Sequence, residues 1–207
     1  MDRPTIRQMA RNDLGNNIFG KGWLMALLTA LVFSVIYSAV SSTVIGSFIL
    51  YGPLTVGLMS AFLTVSRKKT DMEIGEMFSV GFGDFGRNFL LGLMETIFIC
   101  LWSLLFVIPG IVKSYSYAMA CYIAVDNPDY DWKACIDASK EMMNGHKMEL
   151  FLLDLSFIGW YLLGCIACGI GTLWVVPYHQ AAHTVFYRNL INDYSVVNNA
   201  AQGTAQV

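Results

Sequence analysis

Charge is what this sequence has least of. Only 14% of its 207 residues are Asp, Glu, Lys or Arg, and 56% are hydrophobic, whereas soluble domains carry about 25% charged residues. The shortage is concentrated. Residues 22–66 hold no charge at all, 88–125 hold only Glu95 and Lys113, and 148–187 hold only Glu149 and Asp154. Also missing are a P-loop, a dinucleotide-binding glycine fingerprint and a HExxH zinc motif, and no large soluble domain is left over to bind a nucleotide. The first 20 residues disperse their charges and lack a short apolar core with a small-residue cleavage site, so the first apolar block is expected to remain as an anchor. The cysteines number five, an odd count that argues against a fully paired disulfide framework. Cys165 and Cys168 form a CxxC, but with no soluble redox fold around them they read as small apolar helix residues.

The three charge-poor blocks are each about 40 residues long. A bilayer core about 30 Å thick needs roughly 20 helical residues to cross, and one 40-residue helix would extend about 60 Å. Each block is therefore expected to fold into a hairpin of two spans. Helix breakers support the turns: Gly52-Pro53 in "FILYGPLTVG", Pro109-Gly110 in "LFVIPGIVKSYSYAMACYIA", and Gly169, Gly171 and Pro177 in "CGIGTLWVVPYHQ". Proline removes a backbone donor and disfavours helix in the residue before it, though the third proline can lie inside its span with the turn at the glycines. Of thirteen basic residues, all but Lys113 fall outside the proposed hairpin tips. Lysine and arginine gather on the cytoplasmic side, so both termini are expected inside. The fold class that follows is all-α: a polytopic membrane bundle of six spans as three hairpins, with interfacial amphipathic helices. Residues 1–21 form the interfacial helix, 22–191 the membrane domain, and 192–207 a disordered cytoplasmic tail.

The connecting segments are amphipathic. Arg3, Arg7 and Arg11 share one helix face and Ile6, Met9, Ala10 and Leu14 roughly another, a pattern that suits a helix lying apolar side down on an anionic leaflet. Thr70 and Glu73 have capping-box spacing. Phe78, Phe82 and Phe85 offer aromatic weight near the interface. A helix from Asp131 to Met143 is expected, with Trp132, Cys135, Ile136, Met142 and Met143 on its apolar face and Asn144-Gly145 closing it.

The words "WSLLFVIPGIVKSYSYAMACYIAVDNP", "ASKEMMNGHKMELFLLDLSFIGW" and "CGIGTLWVVPYHQAAHTVFYRNL" resemble a bacterial integral membrane family catalogued as domain of unknown function 975. The resemblance spans roughly residues 5–192 and is strongest from Trp102 onward. It implies a multi-span bacterial membrane protein and no activity. A distant similarity in style to the membrane domain attached to some glycerophosphodiester phosphodiesterases transfers no catalytic residue.

Ionisable residues inside spans are costly in lipid and usually face protein or a wet cavity. At 1.5 Å per residue, Glu95 lies about 12 Å in from Arg87, Asp154 about 10 Å in from Lys147, and His183 about 8 Å in from Arg188, with His179 one turn further. These four are the candidate polar layer of the inner half, fixing the bundle through interhelical hydrogen bonds, with Ser116, Tyr117 or Ser156 as further partners, or lining a proton-coupled or ligand-binding cavity. His179 and His183 at i, i+4 suit a shared zinc-ligand face, but a third ligand would have to come from Asp154 or Glu95, and no metal or cofactor is assigned. Lys113 belongs to the outer half, where it can snorkel to headgroups. The expected partners are the bilayer and a second copy or another membrane protein, with no nucleic acid. Three functions are carried: a non-enzymatic membrane protein that organises the bilayer or docks a partner, a small oligomeric transporter or channel using the polar layer, and an intramembrane enzyme acting on lipid, for which no nucleophile is selected.

Overall fold

A computed structural model describes the backbone of residues 3–15, 20–41, 44–68, 74–105, 107–166 and 170–204. Every regular element in them is helical: α1 (Arg3–Asp13), α2 (Lys21–Ser41), α3 (Val44–Lys68), α4 (Ile74–Gly83), α5 (Phe85–Leu105), α6 (Val107–Tyr117), α7 (Ala120–Asp126), α8 (Trp132–Met142), α9 (Lys147–Ile166) and α10 (Ile170–Thr204). Among the described residues, three stretches are long and apolar enough to cross a membrane: Ile49–Lys68, Phe85–Leu104 and Lys147–Cys165. A shorter apolar stretch covers Lys21–Ile36.

The breakers do different work from one another. Pro53 does not end a helix; α3 is described from Val44 and runs through it. Gly52 explains the pair better. A Cβ there would collide with the Asn88 carbonyl, and one at Gly92 would collide with the Gly52 backbone. The Gly-Pro dipeptide thus marks a close crossing of α3 and α5, the small-residue contact by which apolar helices approach without a hydrophobic driving force between them. Pro109 and Gly110 lie in the first turn of α6, which is described from Val107. Proline in the first turn of α6 loses no intrahelical bond, because the first four N–H groups have none. Gly110 lets α6 lie against Ser103, and α5 pairs antiparallel with α6, Phe98 meeting Tyr117 at 6.2 Å between ring centroids. Pro177 is internal to α10, and Gly164 and Gly171 pack backbone to backbone where α9 meets α10.

A side chain from elsewhere repairs the interruption between α6 and α7. The Ser139 hydroxyl of α8 donates to the Ser116 carbonyl at 2.8 Å and accepts from the Met119 N–H at 3.2 Å. Both backbone groups would otherwise be buried without partners. Helix α8 matches its expected limits closely: the Asp131 side chain caps it by accepting from the Ala134 N–H at 2.7 Å, Gly145 takes φ +86° beyond its end, and Cys135, Ile136 and Met143 are buried.

Two terminal expectations fail. The apolar face of α1 does not lie on lipid; Ile6, Ala10 and Leu14 are buried in the same core as Tyr178 and Ala182 of α10. Protein is the nearer apolar surface, and it holds the helix through specific bonds: the Tyr178 hydroxyl donates to the Arg7 carbonyl at 3.1 Å, and Trp23 Nε1 donates to the Gly15 carbonyl at 2.7 Å. At the other end, α10 continues to Thr204, past residue 192 where disorder is expected. Extending an existing helix costs no new nucleus, so even a polar segment rich in Ala, Asn and Gln can carry on. The Thr70–Glu73 capping box and Cys168 lie outside the described residues.

One polar girdle closes the base of the bundle. Ser66 donates to Asp13 at 2.5 Å, and Arg188 donates to both the carbonyl and the hydroxyl of Ser66 at 2.7 Å. Arg67 pairs with both oxygens of Asp126 at 2.5 and 2.6 Å, and Asp126 also accepts from the Tyr187 hydroxyl at 2.8 Å. Arg87 donates to the Pro128 carbonyl at 2.5 Å. These contacts tie α1, α3, α5, α7 and α10 together through the basic residues that the charge pattern places on one side.

Candidate functional sites

Helix α10 presents His179 and His183 one turn apart, so both imidazoles leave the same face. Opposite them on α9 stands Asp154. His179 Nε2 lies 2.9 Å and His183 Nε2 2.6 Å from the same carboxylate oxygen, Asp154 Oδ1. The other oxygen, Oδ2, accepts from the Tyr115 hydroxyl of α6 at 2.9 Å. Tyr161, seven residues past Asp154 and so on its face of α9, brings its hydroxyl to 3.3 Å from His179 Nδ1. The two imidazole rings are 4.6 Å apart between centroids at 74°, and Phe157 packs against His179 at 4.8 Å. The three side chains are partly exposed, between 20 and 26%. One carboxylate on α9 therefore gathers partners from two other helices, α6 and α10, and a hydrogen bond to a charged acceptor stabilises by roughly 1.5–3 kcal/mol.

Glu95 is not a member of this group. It is half-buried on α5 and has the Cys121 thiol of α7 at 3.8 Å. Depth along a span gives no information about rotation around it, and α5 turns its acid toward α7, whereas Asp154 faces α10. The hydroxyls considered as partners are also elsewhere: Ser116 bonds the Val112 carbonyl, Ser156 the Leu153 carbonyl, and the Tyr117 ring lies beneath Lys140. The actual partners, Tyr115 and Tyr161, went unnoticed. For Tyr161 the i+7 spacing from Asp154 was available as a signal; for Tyr115 there was none. Lys113 sits with its ammonium 4.7 Å from the centroid of the Trp102 ring, a cation–π contact within the α5–α6 pair. The ligand-capable atoms of Asp154, His179 and His183 lie within 4.8 Å of one another.

A second site uses Arg7 and Arg11, two of the arginines that the sequence places on one face of α1, in a cavity that the sequence did not signal. With its apolar side spent on α10, α1 turns Arg7, Gln8, Arg11 and Asn12 toward a cavity of about 450 Å³ whose other wall carries Trp160 of α9 and Tyr178 of α10. The Arg11 guanidinium is 5.9 Å from the Tyr178 ring centroid, and Tyr178 in turn leans on Trp23 at 5.8 Å.

An all-helical chain with three helices long and apolar enough to cross a bilayer defines the class. Within it, the model of the family described as Protein of unknown function (DUF975) matches residues 106–193. The resemblance read from the sequence is shown over that stretch, which contains Lys113, Asp154, His179 and His183 and excludes Glu95 and the whole of α1. No curated protein matches the chain, and no solved structure matches it.

Proposed function

We propose that the chain is a non-enzymatic integral membrane protein of the cell membrane, six spans as three hairpins with both termini cytoplasmic, that organises the bilayer by holding anionic lipid headgroups against α1. The observation that carries this reading is the arginine-lined cavity between α1 and the α9–α10 pair. Its guanidinium forks suit a phosphate bidentately, and its aromatic wall suits the glycerol region beneath. A pinned α1 supports it too: a helix held by protein contacts presents its arginines at no further ordering cost, unlike a free amphipathic segment.

Native mass spectrometry of the full chain released from vesicles of equal phosphatidylglycerol and phosphatidylcholine tests it. Retention of phosphatidylglycerol over phosphatidylcholine is expected, and the pair Arg7→Gln with Arg11→Gln should lower that preference. Each basic group near an anionic surface contributes about 1 kcal/mol, so the double substitution should cost roughly 30-fold in relative retention. Equal retention of both lipids by the wild type would defeat the proposal. Orientation is tested by cysteine labelling in a background without the native cysteines. Probes at Thr70 and Lys133 should react from inside and a probe at Ser47 only from outside; the reverse pattern would invert the topology. Ser139 is unsuited to a probe because it is fully buried.

A second reading, a small oligomeric transporter, is favoured by the partial exposure of the Asp154 cluster. Flux of protons or a divalent cation in proteoliposomes, abolished by Asp154→Asn, would promote it above the first.

A further inference from the structure

We propose that Asp154, His179 and His183 form a zinc site with an open coordination position, a role that goes beyond the headgroup reading and rests on different residues. The first argument is convergence. Oδ1 and the two Nε2 atoms point at one another from two helices, and two imidazoles with one carboxylate make a donor set that zinc takes in three-ligand sites. The second argument concerns the groups behind those atoms. A metal-bound imidazole commonly donates its other N–H to an outer acceptor, which fixes the tautomer and the ring orientation. Tyr161 stands at that place behind His179 Nδ1 at 3.3 Å, and its oxygen can accept from an Nδ1–H. The carboxylate is backed in the same way: Tyr115 occupies Oδ2 at 2.9 Å and leaves Oδ1 turned inward. A cluster built only to satisfy hydrogen bonds has no need to direct two Nε2 atoms at one oxygen.

Ligand atoms about 2.0–2.1 Å from a tetrahedral zinc lie roughly 3.3 Å from each other. The His179 and His183 nitrogens are 2.9 and 2.6 Å from Oδ1, and all three ligand atoms lie within 4.8 Å of one another, so the site requires the imidazoles to draw back slightly from the carboxylate by side-chain rotation. The i, i+4 spacing on α10 keeps both imidazoles in register as they do so. Three protein ligands leave the fourth position to water or a small anion.

The test uses the full chain in detergent, exposed to micromolar zinc, freed of excess by gel filtration and measured by inductively coupled plasma mass spectrometry. About one zinc per chain is expected for the wild type and under a tenth for Asp154→Asn and for His183→Gln, each checked for unchanged helicity by circular dichroism. Tyr161→Phe should retain the stoichiometry while weakening affinity about tenfold, the lower end of the usual effect of removing an outer partner. Cobalt added to the wild type alone should give the intense visible absorption of a four-coordinate site, displaced by zinc. That spectrum keeps the proposal falsifiable even where a variant does not fold. No zinc on the wild type, no cobalt band, or equal metal on Asp154→Asn and wild type would each overturn it.

Discussion

Helices α3 and α9 are both apolar enough to cross a bilayer, yet 61% of the residues in the α3 stretch are buried within the protein against 22% in α9 and 17% in α5. The difference lies in what each faces. Helix α3 contacts α1, α2, α4, α5, α7 and α10 and carries Gly52 and Gly57 where α5 and α4 cross it. Helices α5 and α9 turn Leu101, Leu104, Leu155, Leu162 and Leu163 outward. Hydropathy alone ranks such segments together, because lipid and protein interior are equally apolar. Glycine number does not separate them, since each stretch carries two and each has at least one at a backbone crossing; the difference is the row of outward leucines on α5 and α9.

The sharpest way to break this comparison is to give α3 the side chain that α9 tolerates. Gly52→Leu places a branched side chain against the Asn88 carbonyl, a backbone atom that cannot swing away. Overpacking usually costs about 1–3 kcal/mol and occasionally more; against backbone on both sides the upper end is expected, read as lost monodispersity and a large drop in melting temperature. Gly159→Leu on α9, where a Cβ meets nothing within 4 Å, should leave both measures nearly unchanged.

Next in size is Asp154→Ala. It strips the shared acceptor from His179, His183 and Tyr115, for a loss of about 2 kcal/mol or more. Asp193→Ala near the end of the chain should shift the thermal midpoint by less than a quarter as much. Ser139→Ala follows at about 1–3 kcal/mol, since the Ser116 carbonyl and Met119 N–H lose their partner in the α6–α7 interruption. Thermal denaturation in one detergent compares all three.

The smallest effect is chemical. Burial pushes the Cys135 thiol of α8 up to about 11, so little thiolate forms at pH 8. Cys135 should resist maleimide there in the folded protein and be modified once the chain is unfolded in denaturant; peptide mapping follows it. Because folding raises this pKa, the linked loss of stability starts only as the pH climbs past the ordinary thiol value near 9, and nothing is lost below it.

What the sequence made legible follows from one-dimensional physics. Charge-poor length marked the apolar helices, Asp131 and Gly145 bracketed α8, and the i, i+4 spacing put His179 and His183 on one face. Asp154 was singled out by its cost in an apolar span. What stayed hidden depends on rotation and partner choice. Glu95 had the right depth and the wrong azimuth. Pro53 looked like a turn because the crossing helix that needs Gly52 is about 40 residues away. The apolar face of α1 was legible, but whether lipid or α10 would cover it was not, and the arginine cavity depends on that choice.

The central claim is that the leucine faces of α5 and α9 meet acyl chains while the basic end of the bundle meets water. Site-directed spin labels at Leu101 and Leu163, with controls at Lys133 and Asp137, put this to one measurement in proteoliposomes: relaxation by lipid-soluble oxygen against relaxation by a water-soluble nickel chelate. Oxygen should dominate at Leu101 and Leu163 and nickel at Lys133 and Asp137. Nickel accessibility at Leu101 and Leu163 equal to that of the controls would contradict the account.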